Sequence, residues 1–226
     1  MQICIVAATQ AEIAPLSHFL GVWVAKMLSG IRSVTYRNLE LDLLITGPGI
    51  HNTSYHLGRQ FAVTKYDMVM NCGICGAFDN TLKIGEPVHI ISEEFGDFGA
   101  DDDNQFRTAF EIGLIEYNTA PFKNGKLMNA VFPDVEHIKA VKGLTVNTVH
   151  GNEKKIKRSK MKFDADVESM EGAAFFFACL TESLPFLSIR AVSNYIEKRN
   201  KNNWNIPLAI ENANTALISI LDKLAI

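Results

Sequence analysis

The chain has 226 residues, 47% of them hydrophobic, which is enough for one domain with a substantial core. Its formal net charge of -3 gives no broad attraction to nucleic acid or anionic lipid, and no apolar run reaches the roughly 18 residues that a membrane span needs. An acidic residue follows the first apolar run too early for a secretory signal. We therefore expect a cytoplasmic protein with a single domain over residues 1–226 and no nucleic-acid or membrane partner.

Short apolar runs alternate with segments of helical periodicity along most of the chain. The pattern predicts strands at 2–8, 39–45, 68–72, 85–91, 144–149 and 186–192. It predicts helices after Thr9 and at 52–63, 171–181 and 207–224. Such alternation is typical of an α/β fold, here a three-layer α/β/α domain with a central mixed, mainly parallel sheet, in which ligands bind beyond the carboxyl ends of the strands.

Three segments interrupt this alternation. Residues 73–77 carry two glycines and are predicted to form a loop after the third strand. Residues 92–133 give few signals apart from a short helical pattern at 106–112, so we expect loops there, at the rim of a binding site. The basic cluster at 154–162 is predicted to be a solvated surface segment.

Cys72 and Cys75 form a CxxC pair, a spacing used in thiol-disulfide enzymes and in zinc sites. No second CxxC or close group of histidines and cysteines completes a tetrahedral metal site, and the flanking residues are small or apolar. We interpret the cysteines as small hydrophobic residues and expect neither a metal nor an organic cofactor.

Polar side chains occur where a parallel sheet presents its ligand-binding edge. Glu12 follows the first strand, Glu171 begins a helix, and Ser193 and Asn194 follow the strand at 186–192. Each has a simpler structural explanation: a carboxylate in a first helical turn interacts favourably with the helix dipole, and Ser-Asn caps a turn. Their joint occurrence in one α/β pattern is the stronger observation.

Six motifs occur in an order and at spacings that resemble the purine nucleoside phosphorylase and nucleosidase superfamily, over nearly the whole chain. They read IVAATQAE, GPGIHNT, NCGICGAF, LKIGEPVHI, VESMEGAAF and IRAVSN, of which the last two are the most specific pair. The resemblance is greatest to the hydrolytic branch that contains methylthioadenosine/S-adenosylhomocysteine nucleosidases and futalosine hydrolases. It implies a nucleoside phosphorylase-like fold and cleavage of an N-glycosidic bond in a small-molecule nucleoside.

The resemblance implies a separate role in the reaction for each of three residues. Cleavage passes through a ribosyl cation, so a catalyst prepares the attacking oxygen, stabilises the sugar and relieves charge on the departing base. Glu12 resembles the general base that activates water, and Glu171 the residue that binds the ribose 2'-hydroxyl. Met170 resembles the apolar floor beneath the sugar.

Asn194 departs from the pattern of relatives that cleave adenine nucleosides, which place Asp there. Hypoxanthine presents two neighbouring acceptors, N7 and O6, to which an amide donates without changing its protonation. The asparagine therefore favours a 6-oxopurine leaving group. Arg190 and Ser193 are expected to hold the Asn194 segment, although Arg190 is equally explained as a structural ion-pair partner.

Water is favoured over phosphate as the attacking group. The hexameric phosphorylases resemble one another in having Arg and Ser that bind the phosphate. This chain has Asn71 and Ile74 at those positions. Gly76 in the same segment lets the backbone approach the base, or is simply a turn glycine.

Residues 195–214 and 93–102 resemble futalosine hydrolases, which release hypoxanthine from futalosine on a route to menaquinone. Trp204 falls where nucleosidases carry an aromatic residue that closes over the base, and it is also explained as a helix anchor. His150 is a candidate substrate contact or a surface histidine. Arg59 and Arg107 are candidates for the carboxyphenyl end of futalosine, as are basic groups of a neighbouring subunit, because the resemblance implies a homo-oligomer.

Three other functions remain open. One is a nucleosidase acting on methylthioadenosine, S-adenosylhomocysteine or aminodeoxyfutalosine, and another is a purine nucleoside phosphorylase. The third is a nucleoside-binding protein without catalytic activity.

Overall fold

The computed structural model describes residues 1–22, 30–103, 105–129, 135 and 137–225. The strands are β1 (Gln2–Ala7), β2 (Gly30–Tyr36), β3 (Leu39–Ile45), β4 (Met68–Ala77), β5 (Pro87–Phe95), β6 (Gly99–Asp102), β7 (Gln105–Thr108), β8 (Leu127–Met128), β9 (Lys139–Thr145), β10 (Val167–Ser169) and β11 (Phe186–Tyr195). The helices are α1 (Gln10–Phe19), α2 (Ile50–Phe61), α3 (Glu153–Lys162), α4 (Gly172–Thr181) and α5 (Ile206–Leu224), with a short 3-10 helix at Lys201–Asn203.

Within these residues nine strands form the main sheet, in the order β10-β9-β5-β11-β4-β1-β3-β2 with β8 beside β5. Strand β10 also pairs with β4, so that β10, β9, β5, β11 and β4 close into a ring. The pairs β1–β3, β1–β4, β4–β11, β5–β9 and β9–β10 are parallel, and β2–β3, β4–β10, β5–β8 and β5–β11 are antiparallel. The predicted mixed α/β sheet is confirmed.

Helices cover both faces of the sheet, which gives the three layers. Helices α1 and α5 pack together on one face, where apolar residues such as Ile13 and Leu217 join side chains of β1, β3 and β11 in one core. Helices α2 and α4 pack on the other face, where Leu57 and Phe175 contribute to a second core. Burial of these apolar side chains is the main stabilising force.

The predicted loop at 73–77 is wrong, because these residues continue β4 to Ala77. The strand is paired with β11 from Val69 to Ala77, with one irregularity in the register between Val192 and Asn194. Gly73 and Gly76 occupy strand positions at which side chains from other elements fill the space that a Cβ would take. Glycine therefore marks close packing here and not a turn.

The middle of the chain is more regular than predicted. Strand β5 extends to Phe95, and β6 and β7 form a hairpin. The helical pattern at 106–112 is wrong, since its first residues belong to β7. Of the predicted loop region, residues 104 and 130–133 lie outside the described part of the chain. Strand β9 begins at Lys139, five residues before the predicted start at 144, and ends at Thr145.

The CxxC pair lies in β4, inside the sheet. All four cysteines are buried and free, and burial raises the pKa of the Cys72 and Cys75 thiols to about 12. No group of three potential metal ligands occurs among the described residues. The basic segment at 154–162 lies in α3, of which Ile156 and Ser159 are buried. None of the helices described is both long and apolar enough to span a membrane.

Candidate active site

One cavity of about 370 Å³ gathers the polar residues that the sequence separates by more than 180 positions. The predicted residues that line it are Glu12, Gly76, His150, Met170, Glu171, Ser193, Asn194 and Trp204. It opens beyond the carboxyl ends of β1, β4 and β11, where a sheet of this kind binds ligands. No described residue from 92–133 lines it, so the expected rim there is wrong.

Glu12 is placed by the start of α1. Thr9 caps the helix in a reciprocal capping box, in which its hydroxyl accepts from the Glu12 amide while the Glu12 carboxylate accepts from the Thr9 amide at 2.9 Å. The other carboxylate oxygen, Oε1, accepts from the amide of Ile74 at 3.3 Å. A Cβ on Gly73 would lie 2.9 Å from Oε1, so that glycine makes room for the carboxylate.

Burial and the nearby Glu171 carboxylate raise the pKa of Glu12 above its usual value. The Arg190 guanidinium and hydrogen bonds from Thr9 and Ile74 oppose this shift in pKa. A carboxylate whose proton affinity is raised, while still held by several donors, is suited to take a proton from water near neutral pH.

Glu171 is the N-cap residue of α4, one position before the first helical turn in which it was predicted. Its Oε1 accepts from the amide of Gly49 at 3.0 Å, which joins the turn before α2 to this site. Its Oε2 lies 3.7 Å from Nη1 of Arg190. Because each carboxylate oxygen of Glu171 has its own partner, Gly49 or Arg190, the orientation of the carboxylate is fixed.

Arg190 lies behind the cavity and is 1% exposed. It donates from Nη1 to the carbonyl of Ile74 at 3.0 Å and from Nη2 to Oδ1 of Asn71 at 2.9 Å. These contacts fit the interpretation of Arg190 as a structural ion-pair partner, and none of them reaches the Asn194 segment that it was expected to hold. It is a buried ion-pair partner, and its charge also acts on the two carboxylates that line the cavity.

Ser193 and Asn194 lie inside β11, at an irregularity in its pairing with β4, and not after the strand as predicted. The Ser193 hydroxyl lies 2.8 Å from Oδ1 of Asn194 and 3.0 Å from the Cys75 carbonyl. Nδ2 of Asn194 donates to the Tyr195 carbonyl at 2.9 Å. An amide nitrogen carries two hydrogens, so one remains to donate to a ligand.

The segment after β11 forms one wall of the cavity. Trp204 follows the short 3-10 helix, and the Arg199 guanidinium stacks over its ring with 5.2 Å to the centroid. Arg199 lines the cavity, whereas Arg59 and Arg107 do not. Arg107 instead pairs with Asp102 on the surface. The prediction of Arg59 or Arg107 as a ligand for the carboxyphenyl end is therefore not supported by position.

Glu168 was not singled out from the sequence, yet it lines the cavity and is 4% exposed. Its carboxylate contacts Nδ1 of the His150 ring and accepts from the His150 amide at 3.0 Å. The signal in the sequence is a charged residue within the strand-forming run at 167–169, where an apolar residue is expected.

The chain belongs to the phosphorylase superfamily, whose family model matches residues 2–225. A 5'-methylthioadenosine/S-adenosylhomocysteine nucleosidase of Colwellia psychrerythraea is 31% identical over 202 residues, covering 81% of this chain and 80% of the relative. Within the superfamily the chain is accordingly a nucleosidase, an enzyme that hydrolyses N-glycosidic bonds.

Solved structures share the fold over nearly their whole length. Futalosine hydrolase of Helicobacter pylori superposes with a TM-score of 0.81 at 16% identity, covering 99% of this chain and 98% of that one. An S-adenosylhomocysteine nucleosidase of Streptococcus pyogenes gives 0.80 at 20% identity, covering 100% and 98%. The predicted nucleoside phosphorylase-like architecture is confirmed.

Proposed function

We propose that the chain is a futalosine hydrolase, which uses water to release hypoxanthine from futalosine. The observation that carries this proposal is the fixed amide of Asn194 at the cavity wall. The Ser193 hydroxyl lies against its Oδ1, which leaves an Nδ2 hydrogen for the substrate. A donor at this position suits O6 or N7 of a 6-oxopurine and does not suit the amino group of adenine.

Glu12 takes the role of general base in this proposal. Its carboxylate orients a water molecule against the anomeric carbon and removes a proton as the glycosidic bond breaks. Glu171, held by Gly49 and facing Arg190, accepts from the ribose hydroxyls and steadies the cationic sugar. Met170 provides the apolar surface under the ribose.

The remaining residues enclose the base. Trp204 covers its face, the backbone of Gly76 forms part of the wall, and Asn194 donates to its acceptor atoms as the bond to the sugar lengthens. His150, which also lines the cavity and is held by Glu168, contacts the base in this proposal. None of these roles requires a metal or an organic cofactor.

A second candidate substrate is methylthioadenosine or S-adenosylhomocysteine, which the names of the sequence relatives favour. The discriminating experiment supplies the enzyme with futalosine, aminodeoxyfutalosine or methylthioadenosine in phosphate-free buffer and measures base release by HPLC. We expect hypoxanthine from futalosine at a rate at least about 100-fold above adenine release, since buried polar groups left unpaired disfavour the wrong base. Faster adenine release from either of the other substrates would exclude the proposal.

The same assay tests the remaining alternatives. A purine nucleoside phosphorylase would turn over only when phosphate is added, whereas hydrolysis proceeds without it. A nucleoside-binding protein would bind substrate without releasing base. For the variant Glu12→Gln, the exposed Glu182 provides a matched control. Glu182→Gln makes the same chemical change outside the cavity and should leave turnover unchanged.

A homo-oligomeric assembly is also part of the proposal. Large apolar side chains are exposed outside the cavity, including Leu114 at 68% and Tyr117 at 47%. Association of identical subunits buries such side chains. Light scattering is expected to give a mass that is a multiple of the 25.1 kDa chain, and a monomer at micromolar concentration would refute it.

A further inference from the structure

A proline lies in the interior of helix α1, within one turn of the residue proposed as general base. Pro15 follows Glu12 by three residues, and α1 nevertheless continues to Phe19. Proline has no N–H, so the carbonyl of Ala11 lacks the donor that a regular helix supplies from four residues further on. The proline ring also crowds that carbonyl, which weakens the hydrogen bonding of the turn that contains Glu12.

The side chain of Asn214, from α5, contacts this weakened turn. Its Nδ2 donates to the Glu12 carbonyl at 2.8 Å, and its Oδ1 accepts from the Leu16 amide at 3.2 Å. In a regular α-helix these two backbone groups, the carbonyl of one residue and the amide four residues later, pair with each other. The asparagine amide therefore bridges them and supplies a partner to each.

The contacts of Asn214 use the full donor capacity of its amide. The second Nδ2 hydrogen goes to the Ile210 carbonyl of its own helix at 2.7 Å, and the side chain is 0% exposed. A carboxylate at this position would have no hydrogen to donate, and an aliphatic side chain would leave both groups of α1 without this partner. The site is thus specific for a side-chain amide.

The same face of α5 also forms part of the cavity wall. Ile206, Ile210 and Asn214 are spaced four residues apart, which places them on one side of the helix. The two isoleucines line the cavity, and Asn214 meets α1 one turn further on. A single helix therefore sets the position of an apolar wall and of the Glu12 backbone.

We propose that Asn214 is a positioning residue that fixes the backbone of Glu12, so that the carboxylate is aimed at the attacking water. The inference rests on the proposed function, because it takes Glu12 as the general base, but it holds for any purine nucleoside substrate. The Glu12 carboxylate accepts from the amide of Thr9 and, at 3.3 Å, from that of Ile74. Thr9 caps α1, whereas Ile74 belongs to β4, so a shift of α1 against the sheet lengthens the second contact and misplaces the base.

The test compares wild type with Asn214→Ala in steady-state kinetics, with rates expressed per folded molecule as measured by circular dichroism. Misplacement of a catalytic group by about 1 Å costs up to about 100-fold in rate, so we expect kcat to fall by about 10- to 100-fold while KM stays within about threefold. Asn212→Ala is the matched control, since Asn212 also lies in α5 but donates to the Gly85 carbonyl, at 2.7 Å. It should leave kcat unchanged.

The variant Pro15→Ala supplies a readout that a merely structural role would not move. Without the proline, the amide of Leu16 can pair directly with the carbonyl of Glu12. Asn214→Ala in the Pro15→Ala background should therefore lower kcat by less than about threefold. If Asn214→Ala does not fold, Asn214→Ser replaces it under the same thresholds, because a serine hydroxyl bonds the Ile210 carbonyl of its own helix.

The outcomes separate this inference from the proposed function. A kcat for Asn214→Ala within about threefold of wild type, or an equal loss with and without Pro15, overturns the inference, while the proposed function stands if Glu12→Gln is still impaired. Full activity of Glu12→Gln refutes the assignment of the general base and this inference together. Release of adenine in place of hypoxanthine by the wild-type enzyme refutes the futalosine proposal alone.

Discussion

Replacement of Gly172 by alanine tests how tightly the start of α4 is packed against β5. A Cβ at this position would overlap Oε1 of Glu93 and would stand 2.5 Å from its Cδ and 3.1 Å from Oγ of Ser169. Glu93 is 1% exposed, and its Oε2 accepts from the Thr145 hydroxyl at 2.9 Å. Gly143 faces the same carboxyl group from β9, so Glu93 is closely packed on that side as well.

The expected cost follows from these contacts. Overpacking a filled interior costs about 1–3 kcal/mol, and displacement of Glu93 from Thr145 removes a buried hydrogen bond that contributes about 1 kcal/mol. Gly172→Ala should therefore lower the free energy of unfolding by about 2–4 kcal/mol. Because Glu171 immediately precedes this residue, kcat should fall as well.

Urea denaturation monitored by circular dichroism measures the change, with Gly58→Ala as the control. Gly58 lies within α2 and a Cβ there meets no atom within 4 Å, so alanine should stabilise the protein by about 0.5–1 kcal/mol. In a Glu93→Ala background the cost of Gly172→Ala should drop below about 1 kcal/mol, because the overlapping atoms are gone. A Gly172→Ala variant within about 0.5 kcal/mol of wild type, or an equal cost in both backgrounds, would refute the reasoning.

Three further predictions concern buried polar groups. Burial raises the pKa of Glu93 in the folded protein to about 7, from a usual value of 4.5. The contribution of the protonated Glu93 to the free energy of unfolding is therefore fully present below pH 4.5 and is lost as the pH rises through 7. The unfolding free energy of Glu93→Gln relative to wild type should thus increase by about 2 kcal/mol from about pH 5 to about pH 8, and a flat difference in urea titrations contradicts this. Glu12→Gln should reduce kcat by about 10²- to 10⁴-fold with KM within threefold of wild type, and steady-state kinetics showing less than a tenfold loss would exclude Glu12 as the base. Asn194→Asp should shift kcat/KM toward 6-amino substrates by about 100-fold in parallel HPLC assays, and an unchanged preference would remove the amide from base recognition.

Much of the fold could be predicted from local patterns alone. Alternating apolar strands and amphipathic helices predicted the layered α/β fold, and the segments around Glu12 and Glu171 were placed within one or two residues of their helix starts. These features depend on residues close together in the chain. Side-chain periodicity and capping are local properties, and the sequence displays them directly.

Contacts between distant segments could not be predicted in this way. The two glycines in β4 were interpreted as a loop because their real cause, the side chains of Glu12, Arg190, Asn194 and Ile196, lies on other elements. Glu168 went unrecognised for the same reason, since its place beside the cavity depends on the pairing of β10 with Gly76.

The chain thus determines by itself which segments become strands and helices and which carboxylates stand at their ends. The tertiary structure alone decides which of these groups face one another. The pairing of Gly76 with Glu168 and with Asn194 joins residues up to 118 positions apart through strand register. Register is set by the hydrogen bonding and packing of the whole sheet, and a shift of one residue would turn each of these side chains to the opposite face.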